Sequence, residues 1–560
     1  MSASDNFLFD ASMMPEGVSS PFLNKKTVYV PDSNASSEYQ NQIVFDFSQL
    51  SNSFSWVDWK SGVFEFPVTI TIENTNTTDL PKMNDYINSY FCGLKNGTHH
   101  LINSISVNVN NTSVVSLQNN LNFYIQYKMM TELSADDLKK MSATQFFAPD
   151  SSTSFHYASA RDGPGFTNNR PNINLAEDYS TQVYKFSQNA GFGDRLSNVL
   201  DYGAGTTDAF YKQTINDTTK TTQQAISTFV TDGDNKAYFS ILCTIRLRDV
   251  CDLFNEIGLT RGMYINAIIN LNSSKQTLTY TKDTETMTLS SVSVGGLTNP
   301  LLISSAAANQ PNAWLSAQTP ATKTSTIEIS MAVGTAKTSG ASYTSPLLGG
   351  RTRFSVDLYQ CNPVFEERYL SLKTKDVYYT DIYTYLYQNQ ISAGGTFNTL
   401  VSNGISRPTS VIVIPFVSKS ANGTLTSVPI YQSPFASEPG TTSCIPITNW
   451  NVLVSGTAIF QSDFTYDYQQ WLEELSRANA VNGGQSIGLT SGLLSQKEFQ
   501  FGYRYLVADL SRRLPQDDIA RSIEIRGTNN TNVAIDLLVI VEYQRKLTYD
   551  ISSGGILSTI

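Results

Sequence analysis

Histidine, the most versatile catalytic and metal-binding side chain, is scarce in this chain. The sequence contains 3 histidines, His99, His100 and His156. His99 and His100 lie near Cys92, and histidine and cysteine together are typical zinc ligands. Adjacent residues on a strand point to opposite faces, however, and a fourth ligand is not evident. We therefore expect histidines at a loop tip and no metal site.

A serine-nucleophile pattern occurs at Gly484-Gln485-Ser486-Ile487-Gly488. In hydrolases that use this pattern, the serine follows a strand and precedes a helix. Here a predicted helix, Trp471 to Ala478, comes before the serine, and no histidine follows it to act as a base. We interpret the segment as a loop.

Glycine pairs and acidic pairs are the next candidates. Gly191-Phe192-Gly193 and Gly203-Ala204-Gly205 lack the spacing and the following helix of a phosphate-binding loop. The acidic pairs Asp136-Asp137, Glu366-Glu367 and Asp517-Asp518 are adjacent in sequence, which suits helix starts better than opposed acid and base groups. The sequence thus predicts neither a nucleotide site nor a catalytic carboxylate pair.

Two further clusters could contact a ligand. Trp471 with Tyr466 and Tyr468 resembles a platform for stacking sugars, but the neighbouring leucines favour a buried anchor. Arg512-Arg513 and Arg521 form a small basic group that suits surface solvation or a subunit salt bridge. We therefore predict no catalytic, cofactor-binding or metal-binding residues, no cofactor, and a protein that is not an enzyme.

Composition narrows the class of protein further. The chain has 560 residues, only 15% of them charged, and aromatic residues make up 11%. A low charge content filled by Ser, Thr, Asn and Gln suits strands and loops better than surface helices. The formal net charge of −10 repels polyanions, so we expect no sequence-specific nucleic-acid binding.

Signals for export and membrane insertion are weak. The longest purely apolar run, Leu537 to Val541, is far shorter than the ~18 residues of a membrane-spanning helix, so we expect no membrane insertion. Met1 to Glu16 carries Asp5 and Asp10 but no Lys or Arg, which argues against a secretory leader. Five cysteines, an odd and sparse set, make a disulfide framework improbable and favour a reducing, intracellular compartment.

Alternating β-branched and aromatic residues predict strands along most of the chain. In the segment from Ile102 to Val109, alternate residues share a buried face, and Asn110-Asn111 tolerates the positive φ of a hairpin turn. Phe123 to Met141 instead has helical spacing, with Ser134 placed as an N-cap. Other strands are predicted at 43–47, 63–72, 237–247, 263–271, 354–359, 410–417, 501–510, 522–525 and 534–543.

The two halves of the sequence repeat the same order of blocks. The segment 102–112 aligns with 447–457, with 4 identities, at an offset of 345 positions. Glu132-Leu133-Ser134 aligns with Glu474-Leu475-Ser476 at an offset of 342. The pairs 239–247 with 501–510 and 354–359 with 537–543 follow at offsets of 263 and about 183. The offset falls twice by about 80, so the first half carries two extra segments of about that length.

This repeat predicts an all-β chain of two consecutive eight-stranded antiparallel jelly rolls, with short inserted helices and long loops. We expect the two extra segments to lie side by side at one end of the molecule. The expected divisions are an extended arm (1–40), a first jelly roll (41–365) with insertions at about 142–236 and 273–351, a linker (366–395), a second jelly roll (396–550) and a tail (551–560).

Four segments carry an ordered set of motifs: Phe354 to Tyr369 with its Glu366-Glu367-Arg368 run, Ile405 to Phe416, Phe501 to Arg512, and Val541 to Asp550. Together they resemble the double jelly-roll major capsid proteins. The resemblance is closest to those of virophages and polinton-like viruses, within the wider adenovirus-like lineage of icosahedral double-stranded DNA viruses.

The resemblance implies a structural function. It implies a homotrimer that forms a pseudo-hexagonal capsomer, trimer–trimer contacts that tile an icosahedral shell, and penton and minor capsid or cement proteins as partners. It places the chain in the virion, after synthesis and assembly in the host cytoplasm or nucleus. The alternative is a carbohydrate-binding β-sandwich surface protein, suggested by many tyrosines and Asn/Thr-rich loops and disfavoured by the missing leader and disulfides. A glycan-cleaving enzyme on the same scaffold would need paired carboxylates that the sequence does not offer.

Overall fold

The structure is a computed structural model of the 560-residue chain. It describes residues 20–39, 41–51, 55–75, 92–150, 227–232, 236–281, 286–294, 298–303, 324–338, 341–418, 445–463, 465–481, 492–510 and 519–559. None of the helices in these ranges combines the length and apolarity needed to cross a membrane.

Strands make up most of the described chain. They are β1 (Phe22–Pro31), β2 (Glu38–Tyr39), β3 (Gln42–Asp46), β4 (Trp56–Asn74), β5 (Cys92–Leu94), β6 (Ile102–Val109), β7 (Thr112–Asn119), β8 (Ser227–Asp232), β9 (Lys236–Arg246), β10 (Ile265–Leu271), β11 (Ser274–Thr281), β12 (Thr286–Val294), β13 (Leu301–Ile303), β14 (Thr324–Thr338), β15 (Ala341–Thr344), β16 (Arg353–Cys361), β17 (Thr374–Ile391), β18 (Thr396–Ile405), β19 (Pro408–Val417), β20 (Ile447–Val454), β21 (Thr457–Ala458), β22 (Leu506–Asp509), β23 (Arg521–Asn529), β24 (Ile535–Asp550) and β25 (Ile556–Thr559). The helices are α1 (Ser48–Ser51), α2 (Leu121–Glu132), α3 (Ala135–Thr144), α4 (Leu247–Val250), α5 (Leu253–Glu256), α6 (Pro363–Leu370), α7 (Tyr468–Val481) and α8 (Gln496–Phe501).

The first half of the chain folds into two antiparallel sheets with a shared core. One sheet contains β1, β16, β4 and β9 as neighbours, and the other has the order β3-β10-β6-β7. Aromatic rings pack between the two sheets. The ring centre of Phe45 on β3 lies 5.0 Å from that of Phe64 on β4 and 6.5 Å from that of Phe354 on β16. Two sheets closed over one core in this strand order form a jelly roll.

The second half repeats this strand order. One sheet has the order β17-β24-β19-β22, and the other has the order β18-β23-β20-β21. Each strand occupies the position of its counterpart in the first half, from β1 and β17 at one edge to β9 and β22 at the other. The fold prediction of two antiparallel jelly rolls in one all-β chain is confirmed.

The repeat extends to the hairpin that follows β6 and β20. Asn110 and Asn111 have φ values of 47° and 64°, and the aligned Ser455 and Gly456 have 49° and 78°. The backbone N–H of Asn110 donates to the Tyr264 carbonyl at 2.8 Å, and that of Ser455 donates to Ser522 at the same distance. The same left-handed turn, tied to the same neighbouring strand, closes both hairpins.

The predicted helices are present with altered bounds. The helical segment expected over 123–141 is two helices, α2 and α3, and Ser134 caps α3 in a reciprocal capping box with Asp137. The helix expected at Trp471 to Ala478 is contained in α7. The strand expected over 501–510 is shorter, because α8 ends at Phe501 and pairing is limited to Leu506–Asp509.

Three of the expected divisions contain paired strands. The expected linker (366–395) instead contains most of α6 and β17, whose side chains alternate and whose backbone pairs with β24 along its length. The expected arm (1–40) contains β1, which pairs with β16, and the expected tail (551–560) contains β25, which pairs with β24. Each segment supplies a strand to a sheet edge, where its backbone hydrogen bonds are satisfied.

The expected loop at 273–351 is also largely sheet. Strands β11, β12 and β14 extend the first sheet, and β14 pairs with β4 beyond the end of β16. Residues 151–226, most of the other expected insertion, lie outside the described residues. The side-by-side placement of the two insertions therefore stays a prediction.

Candidate functional site: the junction between the two jelly rolls

The histidine pair is buried, and the loop-tip prediction was wrong. His99 and His100 lie in the buried 3-10 turn Thr98–Leu101, with their side chains 1% and 0% exposed. Their Nε2 atoms lie 2.8 and 2.9 Å from the same atom, the side-chain oxygen Oε1 of Gln126 on α2. A polar turn can enter a core when a helix supplies hydrogen-bond partners, and sequence period alone does not reveal this. In the described part of the chain, no group of three His, Cys, Asp or Glu side chains could hold a metal ion.

The acidic pairs that the structure describes lie at helix starts. Asp136 and Asp137 occupy the first turn of α3, where hydrogen bonds from Ser134 lower the pKa of Asp137. Glu366 lies in the first turn of α6 and forms an ion pair with Arg261. The helix-start interpretation is confirmed for these pairs. Four other candidate motifs lie outside the described residues: 191–193, 203–205, 484–488 and 517–518, together with Arg512-Arg513.

The aromatic cluster around Trp471 is an internal anchor. Trp471 and Tyr466 are 0% and 1% exposed, and the Tyr466 hydroxyl donates to the Val507 carbonyl at 2.9 Å. Tyr468 packs 5.5 Å from Trp471, ring centre to ring centre. The indole face is therefore unavailable to a sugar, and the prediction of a buried anchor is confirmed.

In the described chain, the second jelly roll packs on the first along a junction of aromatic and hydrogen-bonded contacts. Helix α2 lies at its centre. On the side of the second jelly roll, Phe123 lies edge-on to Phe416 of β19 at 5.3 Å, and Tyr127 lies edge-on to Tyr505 at 5.2 Å. The N–H of Leu493 donates to the Met130 carbonyl at 2.9 Å. Helix α2 is thus buried between the two halves.

Burial on both faces explains the composition of the second sheet. Two apolar runs are fully buried: Leu537 to Val541 of β24 and Val411 to Ile414 of β19. A strand with one solvated face alternates apolar and polar residues, whereas one covered on both faces is apolar throughout. The apolar run that was too short for a membrane span is therefore a strand enclosed by its own jelly roll and by the other one.

A cluster of polar side chains at the junction links β17 and β24 of the second jelly roll to β7 of the first. The side chain of Asp381 on β17 is 0% exposed, and its Oδ2 accepts from Arg545 at 3.1 Å and from Tyr543 at 3.0 Å. Gln118 of β7 donates to Asp381 Oδ1 at 2.5 Å, and Arg545 donates to the Val114 carbonyl of β7 at 2.6 Å. Both Asp381 and Arg545 therefore bond across the junction, as a buried charged pair requires.

Two tyrosines extend these contacts. The Tyr124 hydroxyl of α2 donates to Glu542 at 2.7 Å, and burial, together with the Glu542 carboxylate, raises the pKa of Tyr124 well above its usual value. The Tyr503 hydroxyl lies 3.0 Å from Asn96 Oδ1 and 2.7 Å from the Asp150 carbonyl. The raised pKa keeps the Tyr124 hydroxyl protonated over the physiological pH range, so it remains a donor to Glu542.

The turn after β24 fastens the end of the chain to the first jelly roll. Asn110 Nδ2 donates to the Gly554 carbonyl at 2.6 Å. Gly554 has a φ of 68°, and a Cβ atom there would lie 2.5 Å from the Met263 nitrogen. Only glycine combines that backbone conformation with so close an approach.

A cleft of about 300 Å³ opens beside α2 and is lined by charged side chains. Most of these groups are paired with one another: Arg246 with Asp249 at 2.6 Å, and Lys128 with Glu132 at 3.9 Å. Burial raises the pKa of Glu132, which Lys128 partly offsets. Paired charges of this kind are typical of a solvated surface, and the cleft gives no indication of a reaction.

Comparisons with known proteins place this geometry among viral structures. No family model and no curated protein matches the sequence. A chain in the cryo-EM structure of the Sputnik virophage is similar over 98% of this chain and 90% of its own length, with 13% identity and a TM-score of 0.51. The mavirus major capsid protein matches over 98% and 92%, with 10% identity and a TM-score of 0.46. The Faustovirus major capsid protein matches over 96% and 92%, with 11% identity and a TM-score of 0.43.

The resemblance stated from the sequence motifs is thereby confirmed at the level of the fold. Similarity to the Sputnik chain extends over both halves and the junction between them, and it agrees with the strand order found in each half. The chain has the double jelly-roll fold that is present in the Sputnik virophage structure.

Proposed function

We propose that the chain is a viral major capsid protein, a structural subunit of an icosahedral shell. The observation that carries the proposal is the duplicated jelly roll fused through a fully buried junction, in a fold shared with a virophage chain. Two similar sandwiches fixed side by side give each subunit two near-equivalent walls. Three subunits then present six such walls around a threefold axis, and closed symmetry prevents filament growth at that contact.

The proposal extends to assembly, partners and location. The subunit forms a homotrimeric, pseudo-hexagonal capsomer, and capsomers contact one another and penton and minor capsid or cement proteins in the virion. Synthesis and assembly take place in the host cytoplasm or nucleus. Stability of the shell comes from many weak contacts acting together, so the function requires neither catalysis nor a cofactor.

The carbohydrate-binding alternative has less support. Its best candidate platform, Trp471 with Tyr466, is buried in the second jelly roll. In the described residues, the remaining polar groove, near Glu38 and Lys337, has these two side chains paired with each other at 2.6 Å.

Light scattering of the purified chain tests the proposal. A capsid subunit should have a mass about three times 61.8 kDa at micromolar concentration. A folded monomer would contradict the proposal. Binding to a glycan array, with a monomeric mass, would support the alternative.

A further inference from the structure

The junction inside the chain joins a sheet face to a helix, and each of these has a counterpart in the other jelly roll. In the second jelly roll, the outer face of the sheet β17-β24-β19-β22 packs on α2 of the first. The first jelly roll has the same sheet, and the second has the counterpart of α2, which is α7. Within one chain, the outer face of the first sheet does not pack on α7 as the outer face of the second sheet packs on α2.

The counterpart sheet face is half-exposed. Ile414, Phe416 and Leu538 share the buried face that contacts α2. The repeat offset of about 183 aligns Leu538 with Ser355 of β16, which is only half-buried. Ser355 lies opposite Tyr29 of β1, a side chain 53% exposed.

The rest of this face is polar and charged. On the same outer face as Ser355 lie two ion pairs, Lys25 with Asp357 at 2.8 Å and Arg353 with Glu65. The Arg353 guanidinium lies over the Tyr29 ring at 4.4 Å. Tyrosine and arginine are enriched in interfaces between separately folded proteins, whereas apolar residues dominate permanent cores.

The counterpart helix is also covered on one side only. The alignment of Glu132 with Glu474 places Gln469 and Leu472 of α7 where α2 has Tyr127 and Met130. Tyr127 and Met130 are buried by the second jelly roll, whereas Gln469 is exposed and Leu472 is half-buried. The opposite side of α7 is anchored by Trp471, which is 0% exposed.

We propose that the outer face of the first sheet in one copy, centred on Ser355, Tyr29 and Arg353, receives the exposed side of α7, at Gln469 and Leu472, from a second copy. The occupant is this same chain, because the mating surface is already present in it and the internal junction shows how the two surfaces pack. The contact is heterologous, and three copies around the threefold axis of the proposed capsomer close it into a ring. This inference rests on the proposed capsomer and assigns the residues that hold it together.

Cross-linking between separately prepared variants tests the contact. Ser355→Cys protein is mixed with Gln469→Cys protein under conditions that exchange subunits, and a short bismaleimide is added. We expect cross-linked pairs across chains. The matched control replaces Gln469→Cys by Asn398→Cys, an exposed position on β18, and should give at most background. The unmodified chain, in which Cys243, Cys251 and Cys361 are buried, is the second control and sets that background.

Association provides the second measurement. Ser355→Arg should weaken trimer formation at least tenfold in light scattering across a dilution series, while Asn398→Arg should leave it unchanged. Circular dichroism and the melting temperature of each variant report whether the fold is retained. Trimers that form normally with Ser355→Arg and give no Ser355–Gln469 cross-link would overturn this inference and leave the capsid proposal standing. A chain that stays monomeric without any substitution would overturn both.

Discussion

The two jelly rolls have the same strand order, but the outer face of one sheet is buried in the second and half-exposed in the first. In the second, Leu538 and Ile540 are fully buried against the first jelly roll. In the first, the aligned Ser355 and Asp357 remain half-exposed and polar. The same backbone therefore supports a permanent contact in one copy of the repeat and a soluble surface in the other. Side-chain polarity, and not topology, distinguishes the sheet face that packs within the chain from the face that stays solvated.

The largest effect is expected at the buried member of this matched pair. Leu538→Ala truncates a fully buried side chain on a strand that is covered on both faces, so it should lower the free energy of unfolding by about 3 kcal/mol. Ser355→Ala at the aligned position should change it by less than about 0.5 kcal/mol. Urea unfolding of both variants measures the difference. Equal effects at the two positions would break the comparison.

The second largest effect is expected from loss of the buried charged pair Asp381–Arg545, which lies in the second jelly roll beside the junction. Arg545→Met leaves the Asp381 carboxylate buried without its cation, so it should cost about 2–3 kcal/mol, less than a fully enclosed pair because Arg545 is partly exposed.

The control for Arg545→Met is Lys546→Met. Lys546 follows Arg545 on β24 and pairs with Asp376 at 2.8 Å on the exposed side of the strand. Its loss should have little effect on the urea midpoint. Adding Asp381→Asn to Arg545→Met should recover part of the loss, and no recovery would show that the pair is not coupled.

The hairpin turns offer a smaller, matched test. Asn110→Gly keeps the positive φ but removes the bonds to Gly554 and Tyr264, so it should cost about 1 kcal/mol. Ser455→Gly at the aligned turn should be neutral or slightly stabilising, because glycine adopts a φ of 49° without strain. Thermal unfolding of the two variants decides whether the first turn has the additional fastening role assigned to it.

The smallest effect is a local response to acid. Hydrogen bonds from the side chains and N–H groups of Ser552 and Ser553 lower the pKa of Asp550 from 3.8 to about 2. A lowered pKa in the folded state means that this stabilisation is present above pH 4 and is lost as the pH falls through about 2.

Amide exchange of the turn at residues 552–554 should therefore accelerate between pH 4 and pH 2 beyond the intrinsic chemical trend. Asp550→Asn should remove that dependence. An unchanged profile in the variant would show that another group titrates.

Local pattern was sufficient for much of the fold. The predicted strand Ile102 to Val109 and the structural strand have the same bounds, because alternate residues face one core. The offset between repeats located the counterpart of each block, since equivalent strands keep their order even when insertions separate them. Ser134 was recognised as a cap because its bonding is local.

Tertiary context decided what was missed. The predicted linker 366–395 contains β17, whose alternating tyrosines carry a strand signal, and Asp381 of β17 lies at the junction. His99 and His100 are buried because Gln126, on a helix some distance along the chain, bonds to both. Sequence period indicates which face of an element is apolar, but it does not identify the partner that covers a polar one.

The position of α2 between the two halves has a consequence for protein synthesis. Phe123 leaves the ribosome about 290 residues before Phe416, its partner on the far side. At about 5–20 residues per second, the nascent first half waits roughly 15 to 60 seconds with that apolar flank uncovered. A cell that translates many copies on neighbouring ribosomes holds many such uncovered flanks at once, so we expect nascent chains to engage chaperones before they are complete.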